Sequence, residues 1–291
     1  MQILKTPKSI IGIAKMRELS EDWRQNGDTL ALVATMGALH AGHLSLVTAA
    51  KEQATKVVVS IFVNPAQFGP NEDFARYPRT LEADLEMLAP FEVDAVFLPN
   101  AGDLYPEGFQ TYLDNEHMSQ FLCGASRPGH FKGVCTVVLK LFNIVKPNKA
   151  IFGMKDYQQF KIVSQMVLDL LIGVEIIGVP IVRNDDGLAL SSRNRLLDDR
   201  HRQLAGMIPI SLNAAYDKWE EGVRSRKILE KTFLESISNS TEFTLDYVKV
   251  CNQKNLSSEG DNITEPVVMV VAVFLGGVRL IDNIEFEWTG N

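Results

Sequence analysis

Residues 34–43 read ATMGALHAGH, and the reading of this stretch decides the fold. Residues 30–33 before it are a short apolar run, while Leu44, Leu46, Val47 and Ala50 after it recur at helical spacing, so the stretch is a strand-to-helix turn. A helix start presents unpaired backbone N–H groups and the positive end of its dipole, and both favour anions. Gly37 and Gly42 let the backbone approach a ligand, and His40 and His43 can donate hydrogen bonds to phosphate oxygens as charge develops. A lone histidine in such a place is more often an ordinary cap. The strand, two glycines and H-x-G-H together point to a phosphate site.

Outward from this turn, strand-like runs at 30–36, 57–63, 93–98, 150–152 and 174–182 alternate with helical segments, the pattern of a parallel sheet covered on both faces. The expected fold is α/β, a Rossmann-like doubly wound parallel sheet over residues 1–182. Residues 156–173 predict a helix that stops at Gly173, which places Lys155 at a strand-to-helix junction, and ligands of such sheets bind at the carboxyl ends of the strands. Beyond 182 the character changes. A polar loop, a helical run over 201–221 and short strands at 244–250, 267–274 and 278–280 with Gly276 and Gly277 between the last two predict a smaller C-terminal α+β domain over 183–291, ending in a hairpin.

With 291 residues, 46% hydrophobic and 22% charged, the chain can bury a substantial core in two domains. Its net charge of −7 argues against nucleic-acid binding, which needs clustered Lys and Arg, yet leaves room for a small anion in a local basic pocket. Cys123, Cys135 and Cys251 are widely spaced and odd in number, indicating neither a disulfide framework nor a zinc site. A reducing cytoplasm fits best. The N-terminus lacks a signal-peptide pattern, and no apolar stretch is long enough to span a bilayer, so a membrane partner is not expected.

Four further stretches carry chemistry. VNPAQFGPNEDFARYPRT, 63–80, brings Asn64, Gln67, Arg76 and Arg79 into a turn-rich loop at a strand end, where the amides can bind hydroxyl or carboxylate oxygens or merely satisfy the turn. RPGHFKGV, 127–134, supplies Arg127, His130 and Lys132 at a helix start, another anion-receptive element. IFGMKDYQQF, 151–160, places Lys155, Asp156, Gln158 and Gln159 at a strand end, with Lys155 a point charge suited to a phosphate. ALSSRNR, 189–195, offers hydroxyls and guanidiniums near the domain boundary, suited to gripping a polyphosphate or to capping a helix. These loops are rich in anion donors, with no Ser-His-Asp order and no metal cage, so the chemistry implied is displacement at phosphorus, where positioning and charge stabilisation do most of the work. Asp84, and less so Asp73, are the carboxylates that could meet Mg²⁺ through water or phosphate.

H-x-G-H followed by Ser-Ser-Arg resembles the HIGH and KMSKS elements of nucleotidylyltransferases and class I aminoacyl-tRNA synthetases. At finer grain TMGALHAGH, VNPAQF, YPRT, RPGHFKGV, KDYQQ and LSSRN, in this order through most of residues 30–195, resemble the pantothenate synthetase family. The resemblance implies ATP-dependent condensation of pantoate with β-alanine through a pantoyl adenylate, with release of pyrophosphate and AMP. It implies that His40 and His43 bind ATP phosphates with Met36 in the pocket backbone, that Lys155, Ser191, Ser192 and Arg193 hold the β- and γ-phosphates, and that Gly153 and Asp156 face the nucleotide. Gln67 and Gln159 would bind pantoate with Asn64 and Arg127 nearby, Asp84 would sit near Mg²⁺ and pyrophosphate, the C-terminal domain would act as a lid, and the chain would form a homodimer.

Two positions depart from the family pattern, Ala34 where Pro is common and Met154 where Glu is common. Pro would have fixed φ at residue 34, and Met154 removes a carboxylate beside Lys155, so ATP affinity or its pH dependence is expected to differ from relatives. A plain adenylyltransferase shares the histidine motif and fold but keeps AMP in its product; the paired glutamines and the large second domain count against it. A silent nucleotide-binding protein is opposed by the presence of His40, His43, Lys155 and Arg193 together.

Overall fold

The computed structural model describes residues 7–70 and 72–288. Its N-terminal part is built on a six-stranded sheet of β1 (Ser9–Ile10), β2 (Leu30–Thr35), β3 (Lys56–Ile61), β4 (Ala95–Phe97), β5 (Lys149–Gly153) and β6 (Glu175–Val179). Their order is β1-β4-β3-β2-β5-β6, and every pairing is parallel. From the central β2 the chain runs outward through β3 and β4, then returns to the other side of β2 with β5 and β6. This leaves a topological switch point between β2 and β5, the place where ligands of such sheets bind.

Period-two alternation serves both faces, as a buried parallel sheet requires. From β2, Leu30 and Leu32 join the core under helices Ile13–Gln25, His130–Val145 and Tyr157–Asp169, while Ala31 and Val33 join the core under Ala41–Gln53 and Leu81–Leu88. The C-terminal part has helices Asp199–Leu204, Met207–Glu220 and Arg226–Ile237 against an antiparallel sheet of β7 (Phe243–Asn252), β8 (Val267–Leu275) and β9 (Val278–Glu285). Trp219, Phe233 and Phe286 fill its core. Gly276 and Gly277 join β8 to β9 with φ of +56° and +75°, the two consecutive left-handed residues that a tight hairpin needs.

Several bounds differ from expectation for local reasons. β6 ends at Val179, because Pro180 has no N–H for the ladder. The helix expected over 156–173 occupies Tyr157–Asp169, preceded by a 3₁₀ turn at Met154–Asp156, and Leu171 at φ +54° reverses the chain before Gly173 is reached. The run over 201–221 is two helices separated at Ala205 and Gly206. The two-residue β1 and the helix Arg226–Ile237 lie outside the expected elements.

One close packing contact sets the floor of the site. A Cβ at Gly133 would lie 2.2 Å from the Ala66 carbonyl oxygen, so only glycine lets helix His130–Val145 press directly on the 3₁₀ turn Pro65–Gln67. Asn64 Nδ2 closes this contact by donating to the Gly133 carbonyl at 3.1 Å.

Candidate active site

The carboxyl ends of β2, β3 and β5 open into a cleft of about 950 Å³, within the range that small-molecule sites occupy. Every residue to which the family resemblance gives a ligand role borders it except Asp84.

The histidine turn is held by a chain of hydrogen bonds. Thr35 Oγ1 donates to the Ser60 carbonyl at 2.8 Å and accepts from Gly37 N at 3.2 Å. Gly37 and Ala38 follow with φ of +81° and +51°. The left-handed region strains any residue with a Cβ, Ala38 included. Asp84 compensates: its Oδ2 accepts from Ala38 N at 2.9 Å and its Oδ1 from Leu39 N at 2.8 Å, with Thr80 Oγ1 donating to Oδ1 at 3.1 Å. Its residue is 2% exposed. Asp84 does not border the cleft, and both its oxygens already accept backbone amides of the turn, so bracing the turn is the role its contacts give it, beside the expected place near Mg²⁺. Arg195 Nη2 donates to the Leu39 carbonyl at 2.9 Å, so Leu39 is gripped at both its N–H and its C=O.

His40 caps helix Ala41–Gln53, its Nδ1 accepting from Gly42 N at 3.2 Å, while His43 Nδ1 accepts from His40 N at 3.3 Å. The rings lie 4.1 Å apart. Accepting at Nδ1 places each proton on Nε2. Burial, followed by the positive charges of Lys155 and Arg195, lowers His43 to about 4; burial, the neighbouring His43 and the same cations lower His40 to about 3. Both rings are thus neutral Nε2–H donors near pH 7. The amides of Gly42 and His40 are consumed by the imidazoles, so the rings replace these helix-start amides as the groups offered to an anion. A Cβ at Gly42 would lie 3.0 Å from the His40 ring, so this glycine makes room for the imidazole.

Lys155 follows β5. Burial lowers its pKa below the usual lysine range, opposed by Asp156 and Asp282. Its loop is fixed from the C-terminal domain: Asn283 Nδ2, on β9, donates to the Met154 carbonyl at 2.9 Å and the Lys155 carbonyl at 3.0 Å. Beside it the Arg183 guanidinium forks onto Asp282 at 2.7 and 2.9 Å. Met154 packs against the hydrophobic core.

On the opposite side, Asn64 Nδ2 donates to Gln67 Oε1 at 3.1 Å and Gln67 Nε2 points to Met36 Sδ at 3.1 Å, so both amides are preset. Gln158 and Gln159 both border the cleft, but Gln158 spends its amide on Cys123 N, Met118 O and Phe121 O, which leaves Gln159 as the one whose side-chain amide has no protein partner among the described residues. His130 Nδ1 donates to the Gln67 carbonyl at 2.8 Å and accepts from Arg127 Nη1 at Nε2 at 3.2 Å; burial and then Arg127 lower its pKa to about 4. Arg127 also grips Glu72, and Arg193 grips Asp73. Ser191 Oγ accepts from Arg193 N at 3.3 Å, and Ser192 Oγ meets Tyr77 Oη at 3.2 Å.

Sequence reading missed Tyr77, Glu72, the half-buried pair Arg279–Asp246 and the role of Arg195. Tyr77, Glu72 and Arg195 lie inside quoted motifs without a distinguishing pattern. Arg279 and Asp246 stand on separate strands of the second sheet and have no local signal.

A family model described as pantoate-beta-alanine ligase matches residues 8–285. Pantothenate synthetase of Thermosipho africanus is 49% identical over 277 residues, covering 95% of this chain and 99% of that protein. The crystal structure of pantothenate synthetase from Thermus thermophilus superposes with a TM-score of 0.90 at 40% identity, covering 96% of this chain and 100% of that one. That of pantoate-beta-alanine ligase from Francisella tularensis, complexed with beta-gamma ATP and β-alanine, gives a TM-score of 0.80 at 34% identity, covering 96% and 97%.

Asp84→Ala leaves two buried amides unpaired and is expected to lower stability by about 1–3 kcal/mol and to reduce kcat, with raised Mg²⁺ restoring neither. Recovery of turnover at high Mg²⁺ would return Asp84 to the metal.

Proposed function

The chain belongs to the pantoate–β-alanine ligase family, and from that premise we propose how its cleft performs the reaction. The enzyme condenses pantoate with β-alanine at the expense of ATP. A carboxylate does not acylate an amine in water, because oxide is a poor leaving group. In the proposed route a pantoate carboxylate oxygen attacks the α-phosphorus, the bond to pyrophosphate breaks, and a pantoyl adenylate forms. The unprotonated amine of β-alanine then attacks the acyl carbon, the bond to AMP breaks, and the amine releases its extra proton. Such displacement rests on positioning and charge stabilisation more than on general bases.

The observation that carries this reading is the placement of two neutral imidazoles, one half-buried lysine and two cleft-bordering glutamines around a single cavity. His40 and His43 would donate from Nε2 to the α-phosphate oxygens, without the repulsion that charged rings would bring to Lys155. Lys155, Ser191, Ser192 and Arg193 would hold the β- and γ-phosphates, with Met36, Gly153 and Asp156 along the nucleotide. Gln67 and Gln159 would bind pantoate, with Asn64 presetting Gln67 and Arg127 taking the carboxylate. The complex of the Francisella relative with beta-gamma ATP and β-alanine supports the same ligands here.

Magnesium would arrive on the ATP phosphates and add charge neutralisation there. Among the described residues no three His, Cys, Asp or Glu side chains converge to hold a metal, which suits an ion carried mainly by phosphate and water; Asp156 is the exposed cleft carboxylate able to meet it through water. Residues 1–182 would form the catalytic domain and 183–291 the lid. A homodimer is supported by the exposed Leu168, Leu170 and Leu171 in the segment that leads into β6, the edge strand of the sheet. No helix among the described residues is long and apolar enough to cross a membrane, and three free buried cysteines support a cytoplasmic location.

Incubated with ATP, pantoate and β-alanine, the protein is expected to release AMP and pyrophosphate in equal amounts; pyrophosphate without free AMP would contradict the ligase route. In that assay His43→Ala and Lys155→Ala are expected to lower kcat by about 10²-fold or more, and near-normal turnover of the folded variants would remove both from the chemistry. Gln67→Ala is expected to raise the pantoate KM, and an unchanged KM would separate this amide from pantoate.

A further inference from the structure

Glu72 and Asp73 are adjacent, yet each fills the fork of a different cleft arginine. Arg127 Nε reaches Glu72 Oε1 at 2.9 Å while its Nη2 meets Oε2. Arg193 Nε and Nη2 reach Asp73 Oδ2 and Oδ1 at 3.0 and 3.1 Å. All four side chains border the cleft. Burial alone would raise both carboxyls, but the hydrogen bonds and charge of their arginines hold them below the usual carboxylate range.

A planar guanidinium grips carboxylate or phosphate oxygens bidentately through an edge of two parallel N–H donors, and in both arginines the Nε–Nη2 edge is the one engaged. An arginine whose fork is filled by a protein carboxylate therefore cannot make the same bidentate contact to substrate at the same time. We propose that Glu72 and Asp73 are positioning residues that act as stand-in anions: they keep the two forks aimed and charge-compensated in the unliganded enzyme, then give them up to the pantoate carboxylate and an ATP phosphate. This rests on the roles of Arg127 and Arg193 proposed above.

The exchange has a defined cost and a defined benefit. An unpaired guanidinium at this depth loses hydration without compensation, whereas replacing one anion by another in a preset fork changes little net charge. The substrate must still expel a carboxylate, so affinity is lower than an open fork would give, and the returning carboxylate assists product release. The segment that moves also bridges the two domains. Asp73 holds Arg193, and four residues later Tyr77 meets Ser192, so arrival of a phosphate on Arg193 loosens the tie to the Ser191–Arg193 loop.

Glu72→Gln and Asp73→Asn test this on separate forks, with pantoate and ATP binding measured by calorimetry alongside KM. Removing the competing charge is expected to tighten pantoate binding by about tenfold in Glu72→Gln, and ATP binding similarly in Asp73→Asn, each leaving the other ligand nearly unchanged. A residue that served structure alone would weaken binding when changed, so weaker or unchanged binding in both variants overturns the proposal. In the unmodified enzyme, the side-chain carboxyl ¹³C resonance of Glu72 is expected to move on saturation with pantoate and not with ATP; a resonance that pantoate leaves in place overturns it without any variant. An unmodified enzyme that neither binds pantoate nor turns over would instead refute the proposed function.

Discussion

Two hydrogen bonds from backbone amides to one buried carboxylate determine whether this site exists. Gly37 and Ala38 turn the chain through consecutive left-handed conformations, which opposes the preference of L-residues, and Asp84 holds the result by accepting from Ala38 and Leu39. That turn sets where helix Ala41–Gln53 begins, and the helix start sets both imidazoles. Each ring spends Nδ1 on a backbone amide. The direction of each Nε2–H is therefore a consequence of backbone geometry, and burial keeps the rings neutral. A donor that is preset and uncharged stabilises developing charge without reorganising.

The remainder of the cleft follows from topology and charge pairing. The switch between β2 and β5 brings the histidine turn next to Lys155, residues far apart in sequence. A chain with net charge −7 still concentrates Lys155, Arg127 and Arg193 around one cavity, and it tolerates them by pairing Arg127 with Glu72 and Arg193 with Asp73. The second domain is coupled to this cavity through backbone as well as charge. Asn283 binds the carbonyls of Met154 and Lys155, so displacement of β9 would release the loop that carries the lysine.

Local signals make much of this legible. The apolar runs of β2, β3 and β5, the H-x-G-H turn and the Gly276–Gly277 hairpin depend on neighbours within a few residues, and the structure follows them. Roles that depend on distant partners are not legible. Asp84 reads as an acidic residue on a helix of 8 residues, and nothing near it in sequence reveals that its partners are two amides 45 and 46 positions away. Gln158 and Gln159 are chemically identical and both border the cleft, and only the phase of helix Tyr157–Asp169 brings the Gln158 amide to the backbone of Met118, Phe121 and Cys123. The motif alone suggests that Gly42 makes room for a ligand, while the contact geometry shows that it makes room for His40. The carboxylate lost at Met154 lies where the side chain packs against the core.

The central claim is that His40 and His43 meet the phosphate as neutral donors whose protons reside on Nε2. Nitrogen-15 resonances of the two rings test it directly. Both are expected to show the Nε2–H tautomer and to remain unprotonated from roughly pH 8 down to about pH 5. Rings that titrate near the ordinary value of 6.5, or that carry the proton on Nδ1, would contradict the account.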